Sequence, residues 1–181
     1  VIQEKKTNFE TDLFMPIIQG IEKVLDIKKE DFDETVKIIA DHIRASVFLI
    51  CDGVLPSNEG RGYILRKIIR RAFGAGSAAK GKVFEKEDIF LHKLVSYVVE
   101  TMKEGYPELV EKAEYIEKVV KIEEERFSNT LKNGTELLES EIIKLKEENK
   151  KELSSDISFK LYDTFGFPFE LTKLIVETQG M

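Results

Sequence analysis

Apolar residues recur at intervals of three and four along almost the whole chain, and this helical spacing is the feature that most constrains the fold. The longest run extends from Pro107 to about Lys150, where threes and fours alternate in a pattern close to a heptad repeat. No segment shows the strict apolar–polar alternation of a half-buried strand. The sequence therefore predicts an all-α fold with one long heptad-like helix.

Six further helices follow from the same spacing and from the turn residues between the apolar runs. The pattern places residues 1–150 in a helical domain that includes the long helix at about 107–150. Residues 151–181 are expected to form the C-terminal helical part of the same domain. The six helices are expected at Thr11–Leu25, Glu34–Ile50, Arg61–Phe73, Glu87–Lys103, Asp156–Phe165 and Pro168–Thr178.

Particular residues are expected to begin, bend or end these helices. Asp31 or Asp33 is a candidate N-cap for the second helix, and Asp156 is one for the sixth. Glycine after an apolar run commonly ends a helix, so Gly74-Ala-Gly76 is expected to end the third one. Gly134 lies inside the long helix and is expected to be a bend or a weak point.

Composition excludes several classes of protein. The hydrophobic content of 42% is enough for a packed core, and no apolar run approaches the length of a membrane span. The single cysteine, Cys51, excludes an internal disulfide and a cysteine zinc site, which suits a reducing cytoplasm. Because the chain begins with Val1 and not with Met, we expect it to be a fragment of a longer protein.

The third predicted helix is strongly basic. From Gly60 to Phe84 there are seven Lys or Arg and no Asp or Glu, although the net charge of the chain is -6. A charge run on a helix is usually a solvated face, whereas a concentrated positive patch on an acidic protein indicates contact with a polyanion. Its apolar residues fall on one side of the helix, and the cations Arg66, Lys67, Arg70 and Arg71 fall on the other.

The polar loop before this helix allows two interpretations. Ser57 or Asn58 is well placed to cap the helix by accepting a hydrogen bond from one of its amides. Alternatively, the amide of Asn58, which both donates and accepts, reads a base edge while neighbouring cations hold phosphates. The two interpretations are compatible if different residues of the loop carry them.

No catalytic or metal site follows from the remaining motifs. The segment Gly76–Lys82 matches the phosphate-loop spacing, but Val83 stands where a magnesium-binding Ser or Thr is needed and no strand precedes it. His42 and His92 are isolated from each other in the sequence, and each is expected to be a packed or surface histidine. Asp163 lies in an aromatic-rich segment, where it either stands near a helix end or accepts from an exocyclic base amine.

Several segments together resemble the alanyl-tRNA synthetase family, and the resemblance covers essentially the whole chain. The loop and basic helix carry its most specific motif. The segments that match in order and spacing are Thr7–Phe14, Ala40–Arg44, Asp52–Tyr63, Arg66–Arg71, Glu123–Phe127 and Leu161–Pro168.

The resemblance implies a parent enzyme that attaches alanine to tRNA(Ala) and uses ATP. The parent's catalytic core, with its antiparallel sheet, would precede Val1, and its zinc-dependent editing domain would follow Met181. ATP, magnesium and zinc are thus implied for the parent and no cofactor for this chain. We expect a cytoplasmic middle domain that is inactive alone and contacts the catalytic and editing domains, but neither membrane nor DNA.

The resemblance also implies site residues. Asn58 and Asp163 match the positions that read the G·U wobble at the third base pair of the tRNA acceptor stem. Support for the tRNA backbone or for the loop is expected from Asp41, Arg44, Arg61, Arg66, Lys67, Arg70 and Arg71. Two other functions remain open: a general RNA-binding helical module that uses only the basic face, and a structural coiled-coil domain that pairs through the long helix.

Overall fold

The computed structural model describes residues 3–28, 30, 33–148, 150, 152–167 and 169–180, leaving aside the side chains of Glu170 and Leu174. These residues form helices and no strand, which confirms the all-α prediction. The helices are α1 (Met15–Leu25), α2 (Asp33–Cys51), α3 (Gly60–Ala79), α4 (Leu91–Met102), α5 (Glu108–Glu147), α6 (Ser155–Phe165) and α7 (Phe169–Thr178), with short 3-10 helices at Asn8–Glu10 and Lys86–Asp88.

The core lies between α5 and the first four helices. Helix α2 packs against α1, α3, α4 and α5, and its apolar stripe is almost fully buried. An aromatic cluster joins α3 to α4 and α5: the ring of Phe73 lies 6.0 Å from that of Phe90 and 5.8 Å from that of Phe127, between ring centroids. Such aromatic pairs add to the burial of apolar area and fix the spacing of the helices.

Helix α3 runs six residues beyond its predicted end at Phe73, so the prediction that Gly74 and Gly76 end it is wrong. Both glycines are buried inside the helix. A Cβ on Gly76 would lie 2.6 Å from Cζ of Phe90, closer than a carbon atom is tolerated. Glycine here allows α3 to approach the residue that precedes α4, and the helix ends only at Ala79.

Helix α5 is continuous for 40 residues, or about 60 Å at about 1.5 Å per residue. The helix does not end or break at Gly134, where the sequence predicted a bend or weak point. Gly134 is buried because Phe167, in the turn between α6 and α7, occupies the space of its missing side chain. Helix α5 thus provides the surface on which α6 and the turn after it pack, whereas α7 packs mainly against α3.

Helix α4 begins at Leu91 and not at Glu87, because Glu124 of α5 caps it. The carboxylate of Glu124 accepts hydrogen bonds from the backbone amides of Phe90, Leu91 and His92 at 2.7–2.9 Å. Its oxygen Oε2 also lies 2.9 Å from Nδ1 of His92. A buried acid therefore satisfies the free amides at this helix N-terminus, where negative charge is favoured.

The cap predictions at other helices are corrected in part. Ser154 caps α6 by accepting from the amide of Ile157 at 3.3 Å, so the prediction of Asp156 as the cap is wrong. Asp33 is the first residue of α2, whereas Asp31 and Pro168 lie outside the described residues.

Among the residues described, no helix combines the length and the apolar character that crossing a bilayer requires.

Candidate nucleic-acid interface

The loop of residues 52–59 is held at both ends. Nζ of Lys112, on α5, donates a hydrogen bond of 2.7 Å to the carbonyl of Cys51, the last residue of α2. At the other end, a Cβ on Gly62 would collide with the Ser57 hydroxyl and the Leu55 carbonyl. Glycine at this position therefore lets the loop lie directly against the first turn of α3.

Asn58 is exposed at the end of this loop, and Arg66 holds it. Oδ1 of Asn58 accepts a hydrogen bond from Nη1 of Arg66, two turns along α3. The N-cap of α3 is Glu59, and neither Ser57 nor Asn58 accepts a hydrogen bond from an amide within the helix, so the capping interpretation is wrong for both. The Ser57 hydroxyl instead donates to the Glu59 carbonyl at 2.9 Å. A carbonyl oxygen has two lone pairs, so Oδ1 of Asn58 can accept a second donor.

Arg66 and Arg70 converge on one buried carboxylate, Glu123 of α5. Its oxygen Oε1 accepts from Nε of Arg70 at 2.9 Å and lies 3.2 Å from Nε of Arg66. Glu123 is 1% exposed, and both arginines are about four-fifths buried. The basic face thus does meet an acid, which α5 provides and α3 itself does not contain.

The exposed cations of α3 are Arg61, Lys67 and Arg71. Nζ of Lys67 lies 5.1 Å from the ring centroids of both Tyr63 and Tyr162, which places the ammonium between a tyrosine of α3 and one of α6. Interaction with the side chain of Tyr162, and then with that of Tyr63, raises the pKa of Lys67. The ammonium is therefore charged at neutral pH and remains open to solvent.

Asp163 is exposed on α6, next to Tyr162, and forms no hydrogen bond or ion pair with any described residue. The structure therefore connects the two predicted readers to adjacent residues of α3: Asn58 contacts Arg66, and the neighbour of Asp163 contacts Lys67. Residues more than a hundred positions apart in the sequence belong to one surface region.

Asp41 and Arg44, the other predicted support residues, lie on α2. Oδ2 of Asp41 lies 3.1 Å from Nδ1 of His42, and the Arg44 guanidinium stacks 4.5 Å from the ring centroid of Phe14. Neither side chain bonds to residues 52–59, so direct support of the loop does not appear in this structure. Burial lowers the pKa of His42, and the charge of Arg71 contributes in the same direction.

Sequence reasoning missed Glu123 and Glu124, although one signal marks them. The buried apolar residues of this part of α5 are Ile116, Val120, Phe127 and Leu131. They follow one another by one helical turn, except between Val120 and Phe127, where one apolar residue is missing from the pattern. Glu123 and Glu124 fill that gap as buried acids. An acid where the helical spacing requires a core residue indicates a buried partner, which the sequence alone does not identify.

Neither a metal nor a phosphate-loop site is found among the residues that the structure describes. No group of three His, Cys, Asp or Glu is arranged to hold a metal ion in that part of the chain. Gly76 lies within α3, and Nζ of Lys82 pairs with Oδ1 of Asp88 at 2.6 Å. The zinc implied for the parent enzyme finds no donor set among these described residues.

Comparison with known proteins gives consistent matches. The model of a family described as tRNA synthetases class II (A) matches residues 1–181. The alanine–tRNA ligase of Ligilactobacillus salivarius is 49% identical over 100% of this chain and 20% of its own length. The enzymes named alanine–tRNA ligase in Fusobacterium nucleatum and Lawsonia intracellularis are 48% and 50% identical, over 100% and 94% of this chain and 21% and 19% of their own lengths. The chain therefore spans about a fifth of the length of the relatives it matches.

Proposed function

Because this chain belongs to the family of class II (A) tRNA synthetases, we propose that it is part of an enzyme that attaches alanine to tRNA(Ala). The name shared by its relatives supports this activity for the longer protein. Within it, this chain is the middle domain that binds the tRNA acceptor stem. We expect the antiparallel sheet that binds ATP, magnesium and alanine elsewhere in the enzyme, and we expect this chain alone to be inactive; the helical structure of the described residues is consistent with this proposal.

The chain reads the G·U wobble pair of the acceptor stem through Asn58 and Asp163. A G·U pair leaves the guanine amino group exposed in the wide, shallow minor groove of A-form RNA. That amino group is a donor, so its reader must be an acceptor. The observation that carries the proposal is that Asn58 is exposed and that its Oδ1 accepts a hydrogen bond from Arg66, which leaves a lone pair for the base. The exposed carboxylate of Asp163, which pairs with no described residue, supplies a second acceptor.

Arg61, Lys67 and Arg71 hold the phosphates on either side of the base pair. All three are exposed, and none is neutralised by an acid in the part of the chain that the structure describes. Phosphate contacts position the duplex without reading its sequence, so these residues contribute affinity and the two acceptors contribute selectivity. The catalytic and editing domains are the expected protein partners of this chain, and the cytoplasm is its expected compartment.

The test is a titration of this chain with two acceptor-stem hairpins that differ only in G·U or G·C at the third pair. We expect tighter binding of the G·U hairpin and loss of that preference in Asn58→Ala. One such contact is worth about 1–3 kcal/mol of discrimination, or about 5- to 150-fold in affinity. Asn133→Ala is the matched control, because Asn133 is also exposed but lies on α5.

Three results separate the candidate functions. Preference lost only in Asn58→Ala supports the reading of the wobble pair. Equal binding of both hairpins by the unaltered chain would contradict it and leave a general RNA-binding module that uses the basic face. Self-association without RNA binding would indicate a structural coiled-coil domain.

A further inference from the structure

Glu123 is one of two adjacent buried acids of α5, and its charge is not fully satisfied. Two arginines share its oxygen Oε1, whereas Oε2 of Glu123 and Nε of Arg66 are buried without a hydrogen-bond partner. A partly satisfied buried ion pair contributes less stability than apolar side chains of similar volume. Stability alone therefore does not account for an acid between Val120 and Phe127, and its contacts indicate what it does instead.

The first contact leads from Glu123 to Asn58. Nε of Arg66 lies 3.2 Å from Oε1 of Glu123, an ion-pair contact without a hydrogen bond, and Nη1 of Arg66 donates to Oδ1 of Asn58. A guanidinium is planar, so an ion pair that draws one of its edges toward the carboxylate restricts the direction of its other nitrogens. From a buried position on another helix, the carboxylate thereby influences where the Asn58 amide is held at the surface.

The second contact leads from Glu123 to the turn after Asp163. Arg70 donates from Nε to Glu123 at 2.9 Å, and its guanidinium lies 4.9 Å from the ring centroid of Phe127, one turn further along α5. Nη1 of Arg70 lies 3.0 Å from where a Cβ on Gly166 would be. Gly166 ends α6 in the left-handed conformation, with φ of 60°. Arg70 thus packs under the turn that fixes the end of the helix carrying Asp163.

We propose that Glu123 is a positioning residue that sets the placement of both base readers, Asn58 through Arg66 and Asp163 through Arg70. The inference rests on the proposed function and adds to it a residue that does not touch RNA. Loss of the carboxylate releases two arginines. Selectivity then falls because Asn58 is no longer held, while affinity for any RNA rises because Arg66 becomes free to bind phosphate.

These opposite changes distinguish positioning from a structural role, because partial unfolding lowers both quantities. The test compares Glu123→Gln with Glu125→Gln in the hairpin titration over a range of salt concentrations. Glu125 is the matched control: it lies two residues along α5, and its side chain has no hydrogen bond or ion pair with a described residue. In Glu123→Gln we expect the G·U preference to fall about tenfold and the salt slope to steepen by about one.

A second readout does not depend on RNA. The side-chain amide resonances of Asn58 in a ¹H–¹⁵N spectrum report whether Arg66 holds that amide. We expect them to shift toward the position of a solvated asparagine in Glu123→Gln and to stay unchanged in Glu125→Gln. An unchanged Asn58 signal in a folded Glu123→Gln protein would overturn the inference.

The two proposals fail in different ways. If the unaltered chain does not prefer G·U, the proposed function fails, and the Asn58 resonances still decide the role of Glu123. If it prefers G·U and Glu123→Gln retains that preference, only the inference fails. If Glu123→Gln does not fold, Arg66→Lys replaces it: lysine keeps the charge but cannot bridge two partners as the guanidinium does. We then expect lost preference with an unchanged salt slope, and a retained preference would overturn the inference.

Discussion

Replacing Glu124 by Gln tests how much of this fold depends on one buried carboxylate. Glu124 is fully buried and accepts from three backbone amides and one imidazole nitrogen. Gln has nearly the same shape, and its single oxygen can keep the bonds to Phe90 and Leu91. Its NH2 group then faces the amide and Nδ1 of His92, which are donors in the present structure.

The cost follows from these contacts. A buried donor left without a partner costs about 1–3 kcal/mol, and loss of the negative charge at the N-terminus of α4 costs about 0.3–1 kcal/mol more. We therefore expect Glu124→Gln to lower the free energy of unfolding by about 2–4 kcal/mol. Since about 1 kcal/mol moves Tm by roughly 2–4 °C in a domain of this size, Tm should fall by roughly 5–15 °C.

Circular dichroism during thermal and urea unfolding measures both quantities. Glu125→Gln is again the control, because it removes the same charge from the next position of α5 and breaks no bond of that side chain in the described structure. Its effect should stay within about 0.5 kcal/mol. If both variants unfold at the same temperature, the carboxylate of Glu124 does not cap α4 and the reasoning fails.

Two further predictions concern stability. Gly134→Ala should destabilise the chain by about 1–2 kcal/mol in urea unfolding, because the new Cβ would lie 2.6 Å from Phe167. Gly105→Ala is the control and should be neutral or stabilising, because the nearest atom to its Cβ would be 3.9 Å away. Because the pKa of His42 is lowered from 6.5 in the folded state, the unfolded chain binds the proton more readily, and stability should fall as the pH drops below about 6.5. In His42→Gln this fall should be smaller, and an identical pH profile would contradict the assignment.

The helical fold could be predicted because apolar spacing determines it locally. The long helix was expected at Pro107 to Lys150 and is found at Glu108–Glu147. The end of α3 could not be predicted, because Gly74 and Gly76 have the composition of a helix terminus. Gly76 lies inside the helix against Phe90, a residue whose position depends on the tertiary structure.

The candidate site, like the fold, could be predicted from the sequence only in part. The candidates Asn58 and Asp163 came from resemblance to a family, and their reading of RNA remains a prediction. The pairing of Arg66 and Arg70 was not predictable, since their partner Glu123 lies 53 residues beyond Arg70. A basic run in a sequence shows how many cations a helix carries, but only the packing shows which of them are already neutralised.

The cations of α3 therefore differ in whether they are free to contact a polyanion. At about 100° per residue, Arg66 and Arg70 share one face of the helix, and Lys67 and Arg71 lie on the next. The first pair faces α5 and a buried acid, so its charge orients other protein groups. The second pair stays in solvent, where phosphates can approach. We therefore propose two roles for one short basic run: selectivity would depend on the paired arginines, and affinity for RNA would depend on the exposed cations.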